Sequence, residues 1–403
     1  MSLKQNRSFK IIFLMGAFTN IGDSLFFIIS MWYVANSTDV AIYAGMAGFL
    51  FTLPEALLIF TGPFIDKVHP KRILAAAAFG QLVAIGAITL LFLTGQMEVL
   101  YLLPLLFLSA CCSAITYPVE ETVLPQIVKK EELVRANSWF SVAYKLSDSL
   151  FDSIAGLMLV AVSVSFLYQL NFVIFLLPLI LLKFFTFPRQ ADEVEPFRLK
   201  EYRNELKDGF RFVMNSKLKW MVAPLAVLNF FTALTIVALP YFSNELSASP
   251  STYGFLLGAA GIGSMTGALL IGKMEQVMNA GRILTLGVGL HGVLWGLMTF
   301  SQNTFTACVF IFFAHVCMGG YNVIYASFIQ SMTPKHLLGR VNTTVDSVIT
   351  IAMPVGALAG GVVLGFLPVR GVMLTFTAAL ILTSFFYLKT SIDQWGREEE
   401  QRV

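Results

Sequence analysis

Charge is scarce in this sequence. Of its 403 residues only 13% are Asp, Glu, Lys or Arg, against 57% hydrophobic, and mean hydropathy is +0.75. A soluble domain carries about 25% charged residues. A chain this apolar has too little polar surface to cover it in water, so its natural solvent is lipid. The net charge of +3 does not suggest a nucleic-acid binder. Reactive side chains are also few and badly placed for chemistry. Cys111, Cys112, Cys308 and Cys317 sit in apolar runs without metal-ligand spacing. No Ser/His/Asp grouping has local support, so neither an enzyme nor a metal site is expected. "GALLIGKM" (267–274) imitates a phosphate-binding loop, but Met274 stands where Ser or Thr must reach a metal. A cleavable signal peptide is missing too: the first apolar run is too long and lacks a small-residue cleavage site, so it reads as a true span.

What the chain has in abundance is long apolar segments. Cutting at charges, prolines and glycines gives twelve: 10–35, 42–64, 73–94, 99–119, 138–161, 164–185, 220–244, 252–272, 282–301, 305–329, 342–366 and 371–389. Each is near the ~20 residues a helix needs to cross ~30 Å of hydrocarbon. Helices are required because every backbone group must find its partner inside the segment. The stretch "RLKEYRNELKDGFRFV" (198–213) reads instead as an amphipathic surface helix.

Lysine and arginine set the orientation. They cluster before the first span, in every second connection and after the last, so that 25 of the 27 fall on one side. Arg370 lies on the other side, and Lys145 within a span. The alternation predicts twelve spans with both termini in the cytoplasm.

The sequence also repeats itself. "GPFIDKVHPKRIL" (62–74) and "GKMEQVMNAGRIL" (272–284) share their length, first glycine and final "RIL". "KEELVRAN" (130–137) matches "KHLLGRVN" (335–342) at Lys130, Leu133, Arg135 and Asn137. Both pairs fall on the cytoplasmic side. The chain thus reads as an all-α integral membrane protein of two six-helix pseudo-repeats: a first half (1–185), a cytoplasmic linker carrying the amphipathic helix (186–218), a second half (219–389) and a cytoplasmic tail (390–403). Such repeats are characteristic of transporters, whose substrate site lies near the midplane.

These motifs make the chain resemble the major facilitator superfamily. "GPFIDKVHPKR" follows its G-x-x-x-D-[RK]-x-G-x-[RK]-[RK] signature at Gly62, Asp66, Lys67, Lys71 and Arg72, and departs from it at His69. "LPQIVKKEELVRANS", "ELKDGFRFVMNSKLKW" and "LLGRVNTTVDSVITIAMPVGALAGG" are similar to the macrolide-efflux branch of the drug:proton antiporters. The resemblance implies the major facilitator fold, a multi-pass protein of a bacterial cell membrane, and a cytoplasmic latch built on the signature. In that latch Asp66 caps a neighbouring helix or pairs with a cation such as Arg135. Lys71 and Arg72 would also anchor at anionic headgroups.

Ionisable residues at membrane depth are functional candidates by default. Asp23 and Glu55 lie deep in the first two spans. Lys145, Asp148 and Asp152, spaced three and four apart, share one face of the fifth. Asp148 or Asp152 could equally form a static bridge with Lys145. The second half offers Asn229, His315, Tyr321 and Asn322. The resemblance places Asp23, Asn229 and His315 at the cavity. His291 reads as packing, Glu120 and Glu121 as interfacial, and Gly263, Gly267, Gly356 and Gly360 as small-residue packing faces. The expected function is proton-coupled export of small amphipathic compounds by a monomer in contact with membrane lipid. No cofactor is needed beyond the proton gradient, and no nucleic-acid partner is expected. A lipid flippase of the same fold is the alternative, and a non-transporting sensor or scaffold a remote one.

Overall fold

The computed structural model describes residues 6–65, 69–129, 132–133, 135–137, 139–140, 151, 154–155, 158–159, 161–185, 199–247, 249–334 and 337–392. The helices described along the chain are α1 (Arg7–Ser37), α2 (Ile42–Ile65), α3 (Pro70–Leu93), α4 (Val99–Ile127), α5 (Val164–Lys183), α6 (Leu199–Asn215), α7 (Lys219–Leu246), α8 (Pro250–Met274), α9 (Ala280–Thr299), α10 (Thr304–Met332), α11 (Leu338–Leu364) and α12 (Val369–Lys389). Among the described residues, ten helices are long and apolar enough to cross a bilayer, and α2 contributes a shorter apolar helix over Ile42–Leu57. Most of the fifth expected span lies outside the described residues.

Contacts divide the chain into two compact units: Met1–Asp39 with Leu50–Arg198, and Val40–Phe49 with Leu199–Val403. In the first, α1 packs on α4 and α5, and α3 packs on the same two helices. One end of this unit holds an apolar core of Phe9, Ile12 and Met15 from α1, with Leu74, Val119, Val123 and Leu182. The start of α1 is fastened there by Asn6. Its Oδ1 accepts the Phe9 N–H at 3.1 Å, while its Nδ2 donates to the Ile127 carbonyl at the far end of α4, 2.7 Å away. One side chain thus satisfies an orphan donor of one helix and an orphan carbonyl of another.

In the second unit, α7 packs on α11 and α12, α8 on α10, and α9 on α10 and α12. The α8–α10 contact is backbone on backbone. A Cβ added at Gly267 would collide with the Val316 carbonyl, and one added at Gly319 with the Ser264 carbonyl. This bears out the packing role expected of Gly267. The amphipathic α6 lies against α11, where Arg340 meets Asp208 at 3.5 Å.

The two matched turns have a common structural purpose. His69 and Asn279 occupy equivalent places in the two 13-residue stretches, and each caps the helix that follows. His69 Nδ1 accepts the Lys71 N–H at 3.2 Å, and Asn279 Oδ1 accepts the Arg282 N–H at 3.0 Å. The departure from the signature at His69 therefore supplies a cap in place of a glycine.

One expectation changes. Glu120 and Glu121 were expected to close α4 at the interface, yet the helix runs on to Ile127 through Pro104, Pro118 and Pro125. Glu120 is 2% exposed. Its carboxyl is packed inside the first unit, and the helix continues because Val123 and Leu124 enter the apolar core and Ile127 packs against it. Arg370, the exception to the charge rule, is not a bare cation. Its Nε donates to Glu245 Oε2 and its Nη1 to the Thr299 carbonyl at the end of α9, both at 2.9 Å.

Candidate functional site

Asp23 is in the middle of α1 and is 8% exposed. Three neutral donors converge on it. Gln81 Nε2 of α3 reaches Oδ1 at 3.0 Å; from α4, Ser113 Oγ reaches Oδ2 at 2.5 Å and Tyr117 Oη at 3.0 Å. Asn20, one turn before Asp23, donates to Tyr117 Oη at 3.5 Å. The neighbouring Gly22 lets α5 come close: its carbonyl accepts Asn171 Nδ2 at 2.9 Å, and an added Cβ would sit 2.6 Å from the Phe175 ring. Asp23 is thus held by α3 and α4 while α5 braces the backbone beside it.

The donor chemistry matters. The amide N–H of Gln81 can only donate, but the hydroxyls of Ser113 and Tyr117 can turn and accept. The cage therefore fits an ionised carboxylate with every hydroxyl donating. It also fits a carboxylic acid once one hydroxyl has rotated to receive its proton. Hydroxyl rotation requires no helix movement, so the site can change protonation state without being rebuilt.

The second unit holds a different polar cluster. His291 of α9 is 0% exposed, and its Nδ1 lies 2.9 Å from Tyr321 Oη of α10. The His315 ring stands 5.8 Å from that of His291, and Trp295 lies 6.0 Å from both. Phe376 of α12 closes the group edge-on, 5.5 Å from His291. Trp295 Nε1 is spent on the Met373 carbonyl at 3.1 Å. His315 Nδ1 lies 2.9 Å from the Ile311 carbonyl, which can only accept. That contact assigns the proton to Nδ1 and leaves Nε2 of His315 as a lone pair. Among the described residues, Nε2 of His291 has no hydrogen-bond partner. Below this cluster Tyr325 and Tyr387 share a hydroxyl contact of 2.6 Å, and Tyr387 reaches the Met221 carbonyl at 3.3 Å, tying α10, α12 and α7 together.

The remaining candidates scatter. Glu55 is exposed on α2, and Asn322 is exposed on α10. Asn229 is half-buried, and its amide donates to the Leu225 carbonyl of its own helix at 2.9 Å. Lys71 and Arg72 open α3 and are exposed; Lys71 Nζ reaches the Phe185 carbonyl beyond the end of α5 at 3.5 Å. Arg135 is exposed. Gly62 falls near the end of α2, but its surroundings, like Asp66, Lys67, Lys145, Asp148 and Asp152, lie outside the described residues.

Sequence reading located Asp23, His315 and Tyr321 but missed Gln81, Ser113, Tyr117 and the part played by His291. One signal was available: Ser113, Tyr117 and Glu120, spaced four and three apart, form a polar stripe along an otherwise apolar α4.

With this architecture in view, the chain belongs to the transmembrane secretion effector family of the major facilitator superfamily (MFS_3), whose family model matches residues 2–402. Among curated proteins it is 22% identical to the uncharacterized MFS-type transporter YvqJ of Bacillus subtilis (strain 168), over 88% of this chain and 85% of that one. It is 28% identical to the enterobactin exporter EntS of Escherichia coli O1:K1 / APEC, over 65% of this chain and 60% of the exporter. Among solved structures, a bacterial homologue of the iron transporter ferroportin has a TM-score of 0.73 at 17% identity, covering 97% of this chain and 100% of that one. The nucleoside transporter NupG has a TM-score of 0.76 at 9% identity, covering 96% and 99%. Both structural likenesses concern the fold.

Proposed function

We propose that this transporter is a proton-coupled exporter of small amphipathic molecules, with Asp23 as its proton carrier. The carrying observation is the Asp23 cage: a carboxyl buried mid-helix among hydroxyls able to serve both of its protonation states. In the proposed cycle, a proton arriving from outside neutralises Asp23 and turns one hydroxyl of the cage. Bound substrate is released, and the unloaded carrier returns. Loss of the proton to the cytoplasm resets the cage. Asp148 and Asp152 would favour cationic substrates.

The proposal includes twelve spans, both termini in the cytoplasm and halves divided at residues 186–218. It places a monomer in a bacterial cell membrane. Gly62, Asp66, Lys67, Lys71, Arg72 and Arg135 would form the cytoplasmic latch. Drug efflux of the macrolide type is one substrate class. Siderophore export is another, suggested by the similarity to EntS.

A susceptibility panel in a host lacking its own pumps, with macrolides, cationic dyes and enterobactin included, identifies a substrate. Purified protein in liposomes with an imposed pH gradient then tests coupling. Asp23→Asn should abolish uphill transport while substrate binding persists and becomes less pH-dependent. Uphill transport by Asp23→Asn at the wild-type level would move the proton site elsewhere and favour lipid flipping.

A further inference from the structure

A groove of about 930 Å³ opens on the second unit between α6, α7, α11 and α12. Phe210 and Met214 of α6, Trp220 and Val227 of α7, Val348 of α11 and Leu382 of α12 line it. All of these but Val348 are substantially exposed, so the groove presents open apolar surface. Lys219 is the one charged lining residue, and its ammonium lies 5.2 Å from the centre of the Trp220 ring. The stretch that forms this wall and leads into α7 is rich in basic residues. Among the described side chains from 207 to 220, Lys207, Arg211, Lys217 and Lys219 are basic, and the one acid, Asp208, is engaged by Arg340.

A tryptophan beside lysines, at the start of a spanning helix and next to an amphipathic helix, is the chemistry of the membrane–water interface. An apolar groove entered beneath a basic rim complements a molecule with an apolar tail and an anionic head. We infer that the groove holds one anionic phospholipid of the cytoplasmic leaflet. Its acyl tail lies along Phe210, Val227 and Leu382, and its phosphate meets Lys219 and Lys217. Because α6 supplies one wall and α11 another, the lipid reinforces the seating of α6 on α11 that the Arg340–Asp208 pair provides. A ligand that binds only the seated arrangement stabilises it by mass action. The inference rests on the cytoplasmic placement of α6 proposed above, but its test does not depend on transport.

Delipidated protein in detergent is titrated with phosphatidylglycerol or phosphatidylcholine, and bound lipid is counted by native mass spectrometry. The wild type should retain one phosphatidylglycerol, with a preference of about tenfold over phosphatidylcholine. Lys217→Gln/Lys219→Gln should bind the two lipids alike. Ala378→Phe, which fills the groove from α12, should bind neither. Lipid-free melting temperatures of the variants serve to show that they remain folded. Equal retention of both lipids by the wild type, or phosphatidylglycerol preference surviving Ala378→Phe, would overturn the assignment. Failure of the export reading alone would leave these binding results in place.

Discussion

Among the described residues, Oδ2 of Asp23 receives the hydroxyls of Ser113 and Tyr117, and Oδ1 the Gln81 amide. A hydrogen bond to a charged group contributes about 1.5–3 kcal/mol, and 1.4 kcal/mol is a factor of ten. Tyr117→Phe should therefore lower gradient-driven transport by about tenfold to a hundredfold while binding measured without a gradient changes by less than about twofold. Proteoliposome uptake and equilibrium binding separate the two. The backbone beside Asp23 is equally exposed to change. Gly22→Ala drives a methyl into the Phe175 ring, and overpacking costs about 1–3 kcal/mol. Thermal unfolding in detergent should show that loss, and Phe175→Leu in the same chain should recover part of it. At this scale the sequence was informative about the charge and silent about its keepers. An aspartate in an apolar run stands out by its cost, whereas glutamine, serine and tyrosine in other spans are common and say nothing of whom they meet.

Helices in lipid gain no hydrophobic energy by pairing, so close backbone approach has to supply the packing. The α8–α10 pair shows it, with Gly267 and Gly319 each seated on a carbonyl of the other helix. Gly267→Leu should abolish a monodisperse peak in size-exclusion chromatography. Gly287→Ala on α9 should leave it intact, because the nearest atom to a Cβ there is 3.6 Å away, an ordinary contact. The glycine faces were legible because 263 and 267, like 356 and 360, recur at helical spacing. The length of α4 was not. Paired glutamates and a proline signal a helix end in water, but Glu120 is buried and the apolar residues beyond it carry the helix on. The repeat showed that two turns were alike; only coordinates show that their shared element is a capping side chain at 69 and 279.

The whole molecule divides its chemistry unevenly: a caged carboxyl in the first unit, an imidazole–phenol–indole cluster in the second. That asymmetry was half visible in the sequence, which placed all four mid-span acids, Asp23, Glu55, Asp148 and Asp152, in the first half. It could not bring His291 and His315 together, because they belong to different helices and neither has a neighbour in sequence that marks it. Orientation is testable as a whole. In a chain freed of Cys111, Cys112, Cys308 and Cys317, cysteines placed in 36–41 or 245–250 should react with an impermeant thiol reagent added to intact cells. Cysteines in 190–200 should react only after permeabilisation. Outside labelling of 190–200 would overturn the proposed topology.

Trp295 lies at the same distance from both imidazoles of that cluster. Protonated imidazole quenches indole emission far more than the neutral ring does, so the second unit carries its own optical reporter. With Trp32, Trp139, Trp220 and Trp395 changed to phenylalanine, the remaining emission should follow proton arrival at His291 or His315 in real time, with no dye attached. A His315→Gln chain whose emission still responds to pH would assign the signal to His291 alone, and one that no longer responds would assign it to His315. Either result turns a packing arrangement into an optical reporter of imidazole protonation, and emission that stays flat across the pH range would show that neither ring takes up a proton.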